Sequence, residues 1–207
     1  MTAISTTGGA ATIAPSPAIR PVDPASYRPA LLNVGVMVWL ASELMFFSGL
    51  FAAYFSLRSD THPWPPTGDT LDVPPVLVAT ILLVLSSFTM QYGVHRAIQG
   101  SRWGFLGWLV LTFVLGGLFE GMQISDYLGR PFAISHDAYS SAFYTLTGFH
   151  FLHVAGGLIG MILMGFRVLK TSRFGHRTLP PIEFLSYYWH FVDVVWIALF
   201  LVIFVLK

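Results

Sequence analysis

Ionisable side chains stand inside long apolar runs of this chain, where such groups are rare. Glu43 lies in the run WLASELMFFSGLFAAYF, and His150 and His153 lie in FYTLTGFHFLHVAGGLIG. His190 and Asp193 lie in FLSYYWHFVDVVWIALFLVIF. At the centre of a bilayer a charged group costs roughly 2.5 to 3.5 kcal/mol or more unless it is neutralised or paired. These residues are therefore candidates for proton chemistry or for hydrogen bonds between helices.

The spacing of these residues limits their chemistry. His150 and His153 are three positions apart and share a helix face, which suits either metal ligation or hydrogen bonds to a neighbouring helix. We favour packing and hydrogen bonds, because no third ligand lies nearby and the H-E-x-x-H pattern of a zinc protease is absent. His190 and Asp193 have the same spacing, and an acid beside an imidazole can share a proton. We predict that they pair, for structure or for proton movement.

Two interpretations of Glu43 stay open. It is either a protonated acid that bonds another helix, or a group with a role in proton movement or lipid contact, which we favour because acids inside a membrane are functional by default. Asp126 and Glu120 lie near the end of an apolar run, where we expect water within reach, and are weaker candidates. Nothing in the sequence accounts for Glu120.

Five apolar runs are long enough to position these groups across a membrane, which takes about 20 residues per helix. We predict an all-α integral membrane protein, a bundle of five transmembrane helices, with a flexible tail over 1–30 and a membrane domain over 31–207. The short segment HRAIQGSR, from 95 to 102, makes the second and third spans antiparallel neighbours. The predicted spans are about 31–57, 76–94, 103–122, 138–166 and 184–206.

Composition agrees with this fold class. Of the 207 residues, 55% are apolar and only 10% are charged, whereas an ordinary soluble domain is about 25% charged. The net charge of +1 is too small to attract nucleic acid electrostatically, which argues against a nucleic-acid-binding protein. The absence of cysteine excludes disulfides, thiolate chemistry and iron–sulfur ligation.

The distribution of basic residues predicts a cytoplasmic N-terminus and a C-terminus outside, because positive loops stay on the inner side. The tail and the second and fourth loops hold most of the Lys and Arg. On the inner side these are Arg20, Arg28, Arg96, Arg102, Arg167, Lys170, Arg173 and Arg177, against Arg58, Arg130 and Lys207 on the outer side.

Two pairs of glycines predict sites where helix backbones approach closely. Gly117 and Gly121 are four positions apart, as are Gly156 and Gly160, and small residues at this spacing are typical of contacts between membrane helices.

Four motifs, taken together, resemble one known family. They are SELMFFSGLFAAYF over 42–55, Gln123 with Asp126 and Tyr127, FYTLTGFHFLHVAGGLIG over 143–160, and YYWHFVDVVWIALF over 187–200. From residue 31 to the C-terminus the chain resembles subunit III of the haem–copper terminal oxidases, most closely the short bacterial form of cytochrome c oxidase subunit III. The resemblance implies a non-redox subunit of an enzyme complex that passes electrons from cytochrome c to oxygen and translocates protons.

The resemblance also implies cofactors, partners and location. No cofactor and no metal is expected in this chain, whereas haem a and copper belong to the partner subunits I and II, and bound phospholipid is expected. Further subunits of a respiratory complex are candidate partners, and the location is the bacterial plasma membrane. Longer members have seven helices, and the five spans look like the last five of them. The subunit's role would be to stabilise subunit I and to support proton uptake.

Residue by residue, Glu43 matches a buried acid of the family, His150 and His153 match its HxxH, and His190 and Asp193 match its WHFVD. The remaining matches are less direct. Arg167 follows His150 by seventeen residues and matches a basic residue that contacts lipid head groups, which suits a guanidinium at the end of a span. Asp126 stands where the family has Glu, so its shorter side chain changes its reach.

Alternatives within and outside the family remain open. The alternatives within the family are subunit III of a quinol oxidase and the accessory protein of nitric oxide reductase. They differ from subunit III of a cytochrome c oxidase mainly in their partner chains. A small haem b anchor would use His153 and His190 as axial ligands. A transporter is disfavoured because no paired broken helices occur in corresponding halves.

Overall fold

Five long helices make up the part of the chain that the computed structural model describes, residues 31–61, 64, 73–129, 137–171, 174 and 178–206. Each is long and apolar enough to cross a membrane, and no strand occurs within these ranges. The predicted five-helix fold class is therefore confirmed. The helices are α1 (Leu31–Asp60), α2 (Val73–Ile98), α3 (Arg102–Gly129), α4 (Ala138–Lys170) and α5 (Leu179–Phe200), which continues as a π-helical turn over Leu201–Val205.

Each of the five helices runs past at least one of its predicted ends, and α2 and α3 run past both. Two of these extensions have consequences. Helix α5 begins at Leu179 rather than near 184, with prolines in its first turn, where the missing N–H groups are not needed. Helix α3 continues through 123–129, which we predicted as loop, to Gly129. The tail predicted over 1–30 lies outside the described residues, as do several of the basic residues counted for orientation. The orientation therefore stays a prediction.

A single glycine makes the tight turn between α2 and α3. Gly100 has a φ of +78°, its N–H donates to the carbonyl of Ala97, and the N–H of Ser101 donates to the carbonyl of Arg96. This is the Schellman arrangement, which caps the last carbonyls of a helix and favours glycine because the left-handed region crowds a Cβ. The turn returns the chain at once, so α3 lies against α2 as predicted.

The core of the bundle is built around Trp189 of α5. Its indole is fully buried and packs against Gly116 of α3 and Gly157 of α4. A Cβ added at Gly116 would stand 2.8 Å from two ring atoms of Trp189, and one added at Gly157 would stand 2.7 Å from two others. Three helices thus approach one another closely because two of them carry no side chain where the third carries its largest.

The predicted glycine pairs are half right. Gly160 lies close to Leu185, at 3.0 Å from an ideal Cβ, and Gly156 lies close to the hydroxyl of Tyr188. No atom of the described residues lies within 4 Å of the corresponding points of Gly117 and Gly121, so the prediction is wrong for contacts among those residues. The glycine that matters on α3 is Gly116, because it is the one that faces a bulky partner.

Indole hydrogen bonds join α5 to α2 in the interior. The Nε1 of Trp189 donates to Oγ of Ser86 at 2.9 Å, and the Nε1 of Trp196 donates to Oγ1 of Thr80 at 3.0 Å. An indole N–H in an apolar interior needs an acceptor. These two bonds therefore set the register between α2 and α5.

We expect Ser86→Ala to destabilise the bundle by about 1 to 3 kcal/mol, because it leaves the buried N–H of Trp189 without its acceptor. The measurement is the rate at which the solubilised chain loses its helical circular dichroism at raised temperature. Ser48→Ala is the matched control, since the Ser48 hydroxyl bonds to the carbonyl of Leu44 in its own helix, on an exposed face. Equal rates for the two variants would contradict the expectation.

Candidate functional site

Two of the residues singled out from the sequence meet between α1 and α4. Nε2 of His153 lies 3.1 Å from Oε2 of Glu43, although the two residues are 110 positions apart. Their side chains are 17% and 23% exposed, respectively, so the pair lies near the outer face of the bundle but is mostly covered. The acid of α1 is thus held by an imidazole of α4.

The second ring nitrogen of His153 determines how the pair holds its proton. Nδ1 lies 2.7 Å from the backbone carbonyl of Phe149, and because a carbonyl only accepts, Nδ1 must carry a hydrogen. A bond between Nε2 and Glu43 then requires one further proton, either on the carboxyl, which donates to a neutral ring, or on Nε2, which makes an ion pair. In both forms the pair is neutral overall and contains one movable proton.

Aromatic side chains from α1 and α5 hold His153 in place. The ring of Phe47 lies 4.9 Å from the imidazole, and Phe46 is stacked on it at 6.3 Å. The hydroxyl of Tyr188 donates to the backbone carbonyl of His153 at 2.8 Å, and Trp39 stacks on Tyr188 at 5.3 Å. Tyr188 could not be singled out from the sequence, because a tyrosine in an aromatic-rich span carries no signal of its own.

His150 lies deeper than His153, in the core of the bundle. It is fully buried, stacks on Trp196 at 4.9 Å and meets the edge of Phe119 at 6.1 Å. Neither ring nitrogen has a hydrogen-bond partner within the described ranges. Of the two predicted contact types, His153 therefore makes a hydrogen bond to a neighbouring helix, whereas His150 makes aromatic packing contacts.

The predicted pairing of His190 with Asp193 is wrong. Nδ1 of His190 lies 2.9 Å from Oγ of Ser87, and Nε2 lies 3.3 Å from Oε1 of Gln91, so both ring nitrogens face α2. Asp193 is buried, and neither carboxyl oxygen has a hydrogen-bond partner among the residues described. Residues three apart still differ by about 60° around a helix. Here that angle separates a side chain facing α2 from one facing the interior.

These contacts also argue against an axial role for His153 and His190 on a haem. The two ring nitrogens of His153 are engaged by Glu43 and Phe149, and those of His190 by Ser87 and Gln91. Haem ligation would have to break a bond at each ring. In the described part of the chain, no three His, Asp or Glu side chains are grouped so that they could hold a metal ion.

The two remaining acids lie on α3. Glu120 is buried, and its carboxyl oxygens have no hydrogen-bond partner in the described ranges. Because α3 continues nine residues beyond it to Gly129, Glu120 lies about 13 Å before the helix end, and the expectation that water is within reach is wrong for this residue. Asp126 is half-buried in the last turn of α3.

Arg167 borders a groove between α4 and α5. The groove has a volume of about 350 Å³ and is lined by Gly160, Leu163, Met164, Arg167, Pro181, Phe184 and Leu185. Apart from Arg167, these side chains are apolar, and Arg167 is exposed. A cationic side chain beside an apolar groove is chemically suited to bind a phospholipid.

Comparison with known proteins gives one consistent family. A profile described as cytochrome c oxidase subunit III matches residues 28–207. A probable cytochrome c oxidase subunit 3 from Mycobacterium tuberculosis (strain ATCC 25618 / H37Rv) is 45% identical over 184 residues, covering 87% of this chain and 90% of that protein. The cytochrome c oxidase subunit 3 of Corynebacterium diphtheriae is 40% identical over 87% of this chain and 90% of its own. That of Ovis aries is 37% identical over 84% and 69%, respectively.

Proposed function

The chain belongs to the cytochrome c oxidase subunit III family, and from that membership we propose that it stabilises the catalytic core of the oxidase and supports its proton uptake. It is a multi-pass membrane protein and a subunit of an aerobic terminal oxidase, an oxidoreductase complex that contains other subunits. The family is a non-redox one, so the work of this chain is mechanical and electrostatic rather than electron transfer.

The observation that carries the proposal is the Glu43–His153 pair. It ties α1 to α4 at mid-span and holds one proton that can sit on either partner. A neutral pair is tolerated in the membrane where a lone carboxylate is not. Uptake of a second proton would leave the pair with a charge of +1, so the pair can pass a proton without a net charge in the bilayer only if it releases one proton as it takes up another.

The same proposal covers the partners and the location. Subunit I would hold the oxygen-reducing haem a and copper, and subunit II would receive the electrons from cytochrome c, with further respiratory subunits around them. Bacterial relatives such as those of Mycobacterium and Corynebacterium support a plasma-membrane location. The excess of Lys and Arg on one side supports a cytoplasmic N-terminus.

We assign the groove beside Arg167 to a phospholipid. The guanidinium of Arg167 would bind the phosphate by two parallel hydrogen bonds. The apolar lining formed by residues such as Leu163 and Phe184 would contact an acyl chain. Of the other candidate polar residues, His150 and Asp193 are buried in the bundle core, His190 faces α2 and Asp126 lies at the end of α3. In our proposal these residues stabilise the helix bundle, whereas the Glu43–His153 pair binds and releases the proton.

Glu43→Gln tests the proton role separately from the structural one. The amide can still donate to Nε2 of His153, but it can neither release nor accept a proton. In the oxidase reconstituted in vesicles, we expect fewer protons taken up per electron, with this chain retained in the complex as before. Asp60→Asn, an exposed change at the end of the same helix, should leave the proton yield unchanged. Unchanged turnover, lifetime and proton yield in Glu43→Gln would reject the proposal.

A further inference from the structure

A second groove lies on the other side of α4, between that helix and α3. It has a volume of about 250 Å³, and its lining is apolar throughout, with Leu109 and Phe113 on α3 and Met161, Gly165 and Leu169 on α4 among its residues. Gly165 and Arg167 are two positions apart and thus point roughly 200° apart around the helix. The groove is therefore separate from the one beside Arg167.

One end of this groove carries positive charge. The guanidinium of Arg102 donates to the backbone carbonyls of Leu169, which lines the groove, and of Thr171. Its Nε is buried and has no acceptor within the described residues. A buried guanidinium N–H without a partner points to an anion, since an unsatisfied charged donor is costly.

Further cations stand at the same end of the bundle. Lys170 follows Leu169 on α4 and is exposed, and exposed Arg96 packs its side-chain carbons against Gly104 in the first turn of α3. The described acid on this side is Glu183, in the second turn of α5. Positive charge is therefore in excess where the groove meets the membrane surface.

The length of the groove indicates what fills it. Its α3 wall runs from Leu106 to Phe113, so it reaches about 17 Å along the helix axis from Arg102. Half of the roughly 30 Å hydrocarbon core is about 15 Å. A neighbouring transmembrane helix would need an apolar contact surface through both halves of the bilayer. One acyl chain needs only the half of the bilayer nearest its own head group.

We propose that the α3–α4 groove is a binding site for an anionic phospholipid, with one acyl chain between Leu109 and Gly165 and the phosphate near Arg102, Lys170 and Arg96. The apolar lining alone would not select a lipid, because surrounding acyl chains are equally apolar. Selection comes from the charges, and each basic residue near the membrane surface favours an anionic head group about fivefold.

The test uses the whole oxidase complex in vesicles that contain photoactivatable phosphatidylglycerol or, in parallel, photoactivatable phosphatidylcholine, each with its reactive group on an acyl chain. We expect adducts on residues 106–113 and 161–169, with phosphatidylglycerol labelling at least about fivefold more strongly. Lys170→Gln and Arg96→Gln, both at exposed positions, should each reduce that preference by about fivefold.

A matched pair of glycine variants tests the groove itself. Gly165→Leu fills it, since an added Cβ would already meet Leu109 at 3.8 Å, whereas Gly107→Leu adds the same group where no described residue lies within 4 Å. Labelling should disappear in the first variant and persist in the second. Equal labelling by the two lipids, unaffected by Lys170→Gln, would overturn the proposal. So would a partner chain that crosslinks to the groove while no lipid labels it.

Discussion

Gly157→Ala should loosen the whole subunit, because the new methyl group would stand 2.7 Å from the rigid indole of Trp189. Overpacking of a tight core costs about 1 to 3 kcal/mol, and the ring cannot retreat while Gly116 of α3 supports its other side. We expect about 2 kcal/mol of destabilisation, which would speed the loss of this chain from the purified oxidase about thirtyfold at raised temperature. Gly116→Ala, at 2.8 Å from the same ring, should act alike.

Neighbouring glycines supply the control for this prediction. Gly117→Ala and Gly148→Ala add the same methyl group within α3 and α4, at points with no other described residue within 4 Å. Alanine has a higher helix propensity than glycine by about 1 kcal/mol, so these two variants should be neutral or slightly more stable. The stability of α3 should therefore fall with Gly116→Ala and stay equal or rise with Gly117→Ala, although the two positions are adjacent. Loss of the chain at the same rate from the Gly116 and Gly117 variants would show that Trp189 does not hold the helices as described.

The second large effect is expected at Glu43 and His153. Truncating one partner of a buried charge pair typically costs about 3 to 5 kcal/mol, because the remaining group is left without compensation. Both side chains are mostly covered, so Glu43→Ala and His153→Ala should each release the chain from the complex about a hundredfold faster, the effect of roughly 3 kcal/mol. The measured quantity is the dissociation half-life in mild detergent.

The double variant separates pairing from packing. With both groups removed no unpaired acid remains, so Glu43→Ala with His153→Ala should dissociate much more slowly than the sum of the two single effects predicts. Leu44→Ala, next to Glu43 on an exposed face, controls for loss of side-chain volume from α1. Additive single effects would mean that the 3.1 Å contact contributes nothing measurable.

The fold class could be predicted from the sequence because a membrane imposes one strict requirement, about 20 apolar residues in a helix. All five predicted spans lie within helices, apart from the final residue of the last. The helix ends were less predictable. Prolines 180 and 181 lie before the predicted start of the last span but occupy the first turn of α5, and Gln123 and Asp126 were predicted as loop but continue α3.

The candidate site could be predicted only as single residues. Glu43 and His153 were found because ionisable groups are rare in apolar spans, yet periodicity shows which face a residue occupies and not which helix lies opposite. For that reason His190 was assigned to Asp193, its neighbour in sequence, whereas α2 offers Ser87 and Gln91. Gly116 was missed because a glycine matters only where a bulky residue faces it, here Trp189.

The 110 residues between Glu43 and His153 also set a waiting time during synthesis. Ribosomes add about 5 to 20 residues per second, so α1 is made roughly 5 to 20 s before the helix that neutralises its acid. In that interval Glu43 lacks His153, and because a charged carboxylate is expensive within the bilayer, it should enter as the neutral acid. The carboxyl would then already be protonated when it meets His153, which makes this contact a late step in the biogenesis of the subunit.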